Sequence, residues 1–164
     1  MAILSERTGH RAIPIIGSAL FAMIGYIILL TNSDPSSRPG VSYVGTFFAA
    51  GGIYPATALA LSWPAINVSG QTKRAVSNAM QISIGNCGAV IGTQLYRSGD
   101  GPRYFVGHSF ALGYLLFEIV VSVILFHMLK KENARREAIT PEVNEVGELE
   151  DWSGDEDPRW RFQY

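Results

Sequence analysis

Four long apolar runs divide the chain, at residues 12–31, 41–63, 75–96 and 105–129. Crossing the hydrocarbon core of a bilayer takes about 20 mostly apolar residues in a helix, and each run meets that length. The first three contain no Asp, Glu, Lys or Arg, and the fourth contains only Glu118. Polar and chain-breaking residues fill the gaps: "TNSDPSSRPG", "PAINVSGQTKR" and "RSGDGPRYFVGH", which read as turns. The pattern predicts an all-α fold, an integral membrane helical bundle with four transmembrane helices. A soluble bundle has no need of four nearly uncharged intervals.

Charge orients the spans. Arg7, Arg11, Lys73, Arg74, Lys130, Lys131, Arg135 and Arg136 fall on one side, and Arg38, Arg97 and Arg103 on the other. Positive residues stay cytoplasmic, so both chain ends and the "GQTKR" loop are expected in the cytoplasm, with Lys73 and Arg74 as an anchor at the mouth of the third run. The same topology removes the sequon Asn67-Val68-Ser69 from the side where glycosylation occurs.

Polar groups inside the runs are the candidate site. At about 100° per residue, Asn78, Gln81, Gly85, Gly88, Ala89, Gly92 and Tyr96 share one face of the third helix, with Asn86 at its margin. An amide needs a partner inside a bilayer, so that face meets protein or water, and Gly88-xxx-Gly92 admits a close backbone. Two readings stand: packing against a neighbouring helix, or a polar translocation pathway. In the second run, Gly51, Gly52 and Pro55 weaken the helical ladder, either as a static kink or as a moving part, and Tyr54 beside them is a candidate pathway residue. Glu118 costs roughly 2.5–3.5 kcal/mol to insert ionised. It is either a proton-coupling group or a neutral acid bonded to a neighbour. His108 and His127 lie near the two ends of the same run.

Composition closes off other classes. Only 16% of the 164 residues are charged and 48% are hydrophobic, against about 25% charged in soluble domains. The formal charge of −1 averages a weakly basic body with an acidic tail, residues 137–164, that holds nine of the 14 acidic side chains. No basic patch with interleaved aromatics suggests nucleic acid. One cysteine, Cys87, excludes an internal disulfide or a Cys-based metal site. No phosphate loop, clustered metal ligands or nucleophile–base pair appears, so no enzyme, cofactor or metal is expected. The tail from residue 130, low in apolar residues beyond 137, is expected to be largely disordered, and its aromatic end, 160–164, is a candidate for docking on the inner face.

The run "FFAAGGIYPATALALSWPAINVSGQTKRAVSNAMQISIGNCGAVIGTQLYR" resembles the late helices of fungal major facilitator superfamily transporters, in the anion:cation symporter branch of allantoate and nicotinate permease-like carriers. Trp63, Asn67, Gly70, Thr72-Lys73-Arg74, Ala79, Gly85-Asn86 and Gly92 carry the likeness. "ERTGHR" resembles the superfamily's Asp-Arg-x-Gly-Arg-Arg loop, which makes Glu6, Arg7, Gly9 and Arg11 a cytoplasmic gating loop in residues 1–11. The resemblance implies the last four helices of a twelve-helix carrier that moves small organic anions, with protons, by alternating access across the plasma membrane. It also implies that the N-terminal helices are missing and that the chain alone is inactive. It favours the second and third helices as cavity-lining and weakens the case for Glu118. The partners expected are the lipid bilayer, a small organic anion and a proton. A stand-alone four-span subunit or adaptor without transport activity is the alternative.

Overall fold

The computed structural model describes residues 11–146, 154–157 and 159–164. Among the described residues there are four α-helices: α1 Ala12–Thr31, α2 Pro39–Asn67, α3 Gln71–Leu95 and α4 Phe105–Val146. No strand occurs among the described residues. Three helices, α1, α2 and α4, are long and apolar enough to cross a membrane by length and composition. The third apolar run is helical within α3 from 75 to 95, but the helix does not reach that standard.

Sequence chemistry sets the helix ends. Pro14 sits in the first turn of α1, where its missing N–H is no loss, and Asn32 ends the helix in an extended conformation. Asn32 then turns the chain, its Nδ2 donating to Ser42 Oγ at 2.9 Å. Pro39 opens α2 at a position suited to its fixed φ. That helix runs through both Pro55 and Pro64. Gly70, at φ +84°, makes the elbow into α3, a conformation that side chains with a Cβ resist.

α1 buries a helical stripe of Ala12, Ile15, Ser18, Ala19, Ala22 and Gly25, spaced three and four residues apart. Two apolar clusters lie along it. Ala12 and Ile15 pack with Leu59 and Trp63, flanked by Phe126 and Leu129. Ala19 and Ala22 pack with Leu115, flanked by Ile53 and Ile119. Small residues let α1 and α2 meet backbone to backbone. A Cβ on Gly25 would strike the amide nitrogen of Ala49, and one on Gly52 would strike the Ser18 carbonyl and the Ala22 nitrogen. Such contacts replace the hydrophobic drive that lipid does not supply.

By contrast, α3 has no buried residue. It is held at its far end by an aromatic group in which Tyr96 Oη lies 3.2 Å from His108 Nδ1 and the Tyr104 and Tyr26 rings flank His108. The outer surfaces of α1 and α4 expose large apolar side chains, among them Ile24, Ile27, Phe110, Phe117 and Ile124. So much apolar surface suits lipid rather than water.

The tail departs from expectation. α4 continues to Val146, about 60 Å in all, so it overhangs the apolar run by several turns. Glu132 supports the overhang by pairing with Arg135 at 2.7 Å and Arg136 at 2.9 Å, the spacing that stabilises a helix surface. The aromatic end, residues 160–164, is the part of that tail expected to dock rather than stay free. It returns to the bundle, where the Arg11 N–H donates to the Tyr164 carbonyl at 2.9 Å. Composition alone indicated disorder; backbone hydrogen bonds to distant helices outweigh it.

Candidate functional site

The sequence singled out the polar face of α3, and the structure leaves most of that face uncovered. Gly85, Gly88 and Gly92 have no neighbour within 4 Å of an added Cβ among the described residues. Asn86 is exposed, and so is Tyr54, at 76%, on α2. The face meets another helix at its two ends: Tyr96 reaches His108 of α4 at the far end, and Gln81 reaches α2 toward the elbow.

There the chemistry is specific. In an α-helix the N–H of residue 64 would donate to the carbonyl of residue 60. Residue 64 is proline and has no N–H, so the Ala60 carbonyl loses its helical donor. Gln81 supplies the replacement: its Nε2 donates to Ala60 O at 2.9 Å. A side chain on α3 thus completes the backbone ladder of α2. The Gln81 Oε1 atom and the Asn78 Oδ1 atom, one turn earlier, are buried without a hydrogen-bond partner among the described residues. Two buried acceptors, three residues apart on α3, therefore lack a donor among the described residues. Gln81 and Asn78 come together on one face; Tyr54 and Asn86 make no described contact with them.

The remaining candidates are scattered. Glu6, Arg7 and Gly9 lie outside the described residues. Arg11 does not sit in an open loop: it is 7% exposed, and its Nε has no partner among the described residues. Lys73 pairs with Asp155 at 3.3 Å and Glu156 at 3.1 Å, so this anchor holds the tail. Arg74 Nη2 donates to the Val68 carbonyl at 3.5 Å across the elbow. Glu118 is half-buried in the apolar part of α4, with no hydrogen bond or ion pair among the described residues.

Sequence reading missed Pro64 and Ala60, although a proline in "LSWPAIN" points to a bare carbonyl four residues earlier. It also gave Asn67 no structural role and did not mark Asn133. Both bind the returning tail.

No family profile and no solved structure matches the chain. Curated proteins do. An uncharacterized transporter of Schizosaccharomyces pombe is 32% identical over 84% of this chain and 27% of its own length. A high-affinity nicotinic acid transporter of Saccharomyces cerevisiae is 30% identical over 99% of this chain and 30% of its own length. An MFS-type transporter of Penicillium expansum is 31% identical over 97% of this chain and 32% of its own length. The chain thus spans less than a third of the length of these relatives, which are named as transporters and not as enzymes. Over most of its length, the chain is homologous to fungal transporters of the major facilitator type.

Proposed function

We propose that this chain forms the last four spans of a secondary-active carrier for small organic anions of the nicotinate kind, working by alternating access with protons. Under this reading α3 is the fourth span. Its charge-free stretch crosses the membrane among other helices rather than in lipid, which explains why it is less apolar than α1, α2 and α4. The single observation that supports a pathway along α3 is the pair of buried, unpartnered amide oxygens of Asn78 and Gln81 beside a proline-interrupted helix. Discontinuous ladders facing polar groups are how carriers hold substrate near the midplane. The relatives are about three times longer, so helices beyond this chain are proposed to close the other side of the cavity. Both chain ends and the Lys73 elbow are placed in the cytoplasm of a plasma-membrane protein, in keeping with the arginine and lysine bias.

Glu118 is the acidic group proposed to take up the coupled proton, because no described side chain neutralises it within the apolar part of α4.

Uptake of radiolabelled nicotinate by yeast lacking its own carrier tests this. The complete carrier is expected to take up label, and this chain alone is not. Asn78→Ala in the complete carrier is expected to reduce uptake at least tenfold with surface expression unchanged. Glu118→Gln is expected to flatten the dependence of uptake on external pH. Uptake by the Asn78→Ala carrier equal to wild type removes α3 from the pathway.

A further inference from the structure

Residues 154–157 and 159–164 cross one end of the bundle, with contacts to α2, α3, α4 and the Arg11 cap of α1. Two asparagines grip this strip in the same manner. Asn67, the last residue of α2, accepts from the Gln163 N–H at 2.8 Å and donates to the Gln163 carbonyl at 2.9 Å. Asn133, on the α4 overhang, accepts from the Phe162 N–H at 2.9 Å and donates to the Phe162 carbonyl at 2.8 Å. Each amide engages both main-chain groups of one residue, as a neighbouring β-strand would. Trp63 Nε1 adds a second donor to the Gln163 carbonyl at 2.9 Å.

Side chains are read as well. The Arg136 guanidinium lies 4.4 Å over the Phe162 ring, a favourable cation–π distance, and donates to the carbonyls of Asp155 and Asp157. The Phe126 ring meets the Tyr164 ring edge-on at 5.3 Å. Arg161 Nη2 donates to Thr140 Oγ1 at 3.0 Å. Lys73 closes the far end on Asp155 and Glu156, but its side chain is 54% exposed, so that pairing is a weak contributor. Most of the grip is therefore neutral, directional and aimed at backbone.

We propose that the groove between the ends of α1, α2 and the α4 overhang is a peptide-binding site for an extended aromatic–Arg–aromatic segment. Its ligand is the chain's own residues 154–164, which form a releasable strap tying the α2–α3 elbow to α4. The strap lies 96 to 100 residues from its α2 partners and 29 from Asn133 of α4 in sequence. A covalent tether gives such a strap an effective concentration on the order of millimolar, so a modest intrinsic affinity keeps it docked while allowing release. If α3 and α4 shift in a transport cycle, the strap is the one described link outside the bundle that resists it. That last consequence rests on the transport reading; the peptide site does not.

Hydrogen exchange on the whole chain in lipid nanodiscs tests the site. The amides of Phe162 and Gln163 are expected to exchange at least tenfold more slowly than in a free peptide of residues 154–164. Asn67→Ala combined with Asn133→Ala is expected to bring both to the free-peptide rate while α1 keeps its protection. Free-peptide rates in the wild type, or protection undiminished in that variant, overturn the proposal. A second measurement does not depend on that variant folding. In a Cys87→Ser chain carrying Lys73→Cys and Glu156→Cys, a short thiol-directed cross-linker is expected to join the two positions. Free peptide of residues 154–164, at roughly ten times the millimolar effective concentration, is expected to lower the yield at least twofold, and a scrambled peptide is not. Absence of the cross-link, or a yield that the free peptide leaves unchanged, overturns the proposal. Neither readout involves uptake, so failure here is separate from failure of the transport reading.

Discussion

The α1–α2 pair and α3 use the same residue to opposite effect. Gly25, Gly45 and Gly52 lie where another helix presses on the backbone. Gly85, Gly88 and Gly92 lie at the same kind of spacing and touch nothing among the described residues. A small-residue stripe therefore states only that close approach is permitted. Whether it is used depends on a complementary stripe, and Ala22 and Ala49 provide one for the first pair. α3 has its stripe and, within the described residues, no complement.

The largest expected effect breaks the first half of that contrast. Gly52→Leu drives a side chain into the Ser18 carbonyl and the Ala22 nitrogen, and separating α1 from α2 is expected to cost more than about 4 kcal/mol. Gly88→Leu on the isolated chain is expected to stay within about 0.5 kcal/mol. Unfolding in detergent, followed by circular dichroism, compares the two; equal losses would erase the distinction. An intermediate effect concerns the hydrogen bond by which α3 engages α2. Gln81→Ala leaves the Ala60 carbonyl bare and is expected to cost about 1–2 kcal/mol. Adding Pro64→Ala restores an N–H in α2 itself and is expected to recover most of that loss. A double-mutant cycle with no coupling between positions 64 and 81 would show that the bond carries no weight.

The smallest effect sharpens how α3 is held from below. Burial raises the Asp155 carboxyl, but hydrogen bonds from its own N–H and from Lys73 prevail and leave it below the usual carboxylate range. The Arg159 side chain, which donates to Asp157, lowers that carboxyl also. The hydrogen bonds that Lys73 donates to Glu156 and Asp155 hold its ammonium above the usual lysine range. The sign follows from which state binds protons more tightly. Asp157 is lowered chiefly from within the strap, so the acid-side pH dependence of docking falls to Asp155. It supports the docked strap above its free pKa of about 4, and that support fades as pH falls through its lower docked value. Lys73 supports it below about 10.4, and its support fades as pH rises through its higher docked value. Strap protection in hydrogen exchange is expected to be flat between roughly pH 5 and 10, weakening about twofold at either extreme. A steep change at neutral pH would point to another group.

The helical class was legible because uncharged apolar runs of span length have few other uses. The places where helices stop were less so. Runs of apolar residues do not mark the polar overhang beyond Leu129, which is held by Glu132 reaching Arg135 and Arg136 and by the tail that covers it. The glycines of α1 and α2 and those of α3 look alike in one dimension; only the register between helices separates them. Gln81 was visible as an amide in an apolar run, yet its use was hidden, because the acceptor it serves is created by a proline on a different helix. Asn67 and Asn133 bind main chain about 30 to 100 residues away, and a single amide in a loop or polar helix gives no sign of such a distant ligand. The expected gating residues Glu6, Arg7 and Gly9 fall outside what is described, and the burial of Arg11 depends on a tail that composition alone argued against.

The pairing of Pro64 with Gln81 has a consequence for how the protein is made. Ribosomes deliver α2 before α3, so for a time the Ala60 oxygen enters the bilayer without an amide to answer it. The incoming helix can answer from one rotational setting only, since a slip of one residue turns Gln81 away by about 100°. The proline acts as an alignment mark, written in the earlier helix and read by the later one.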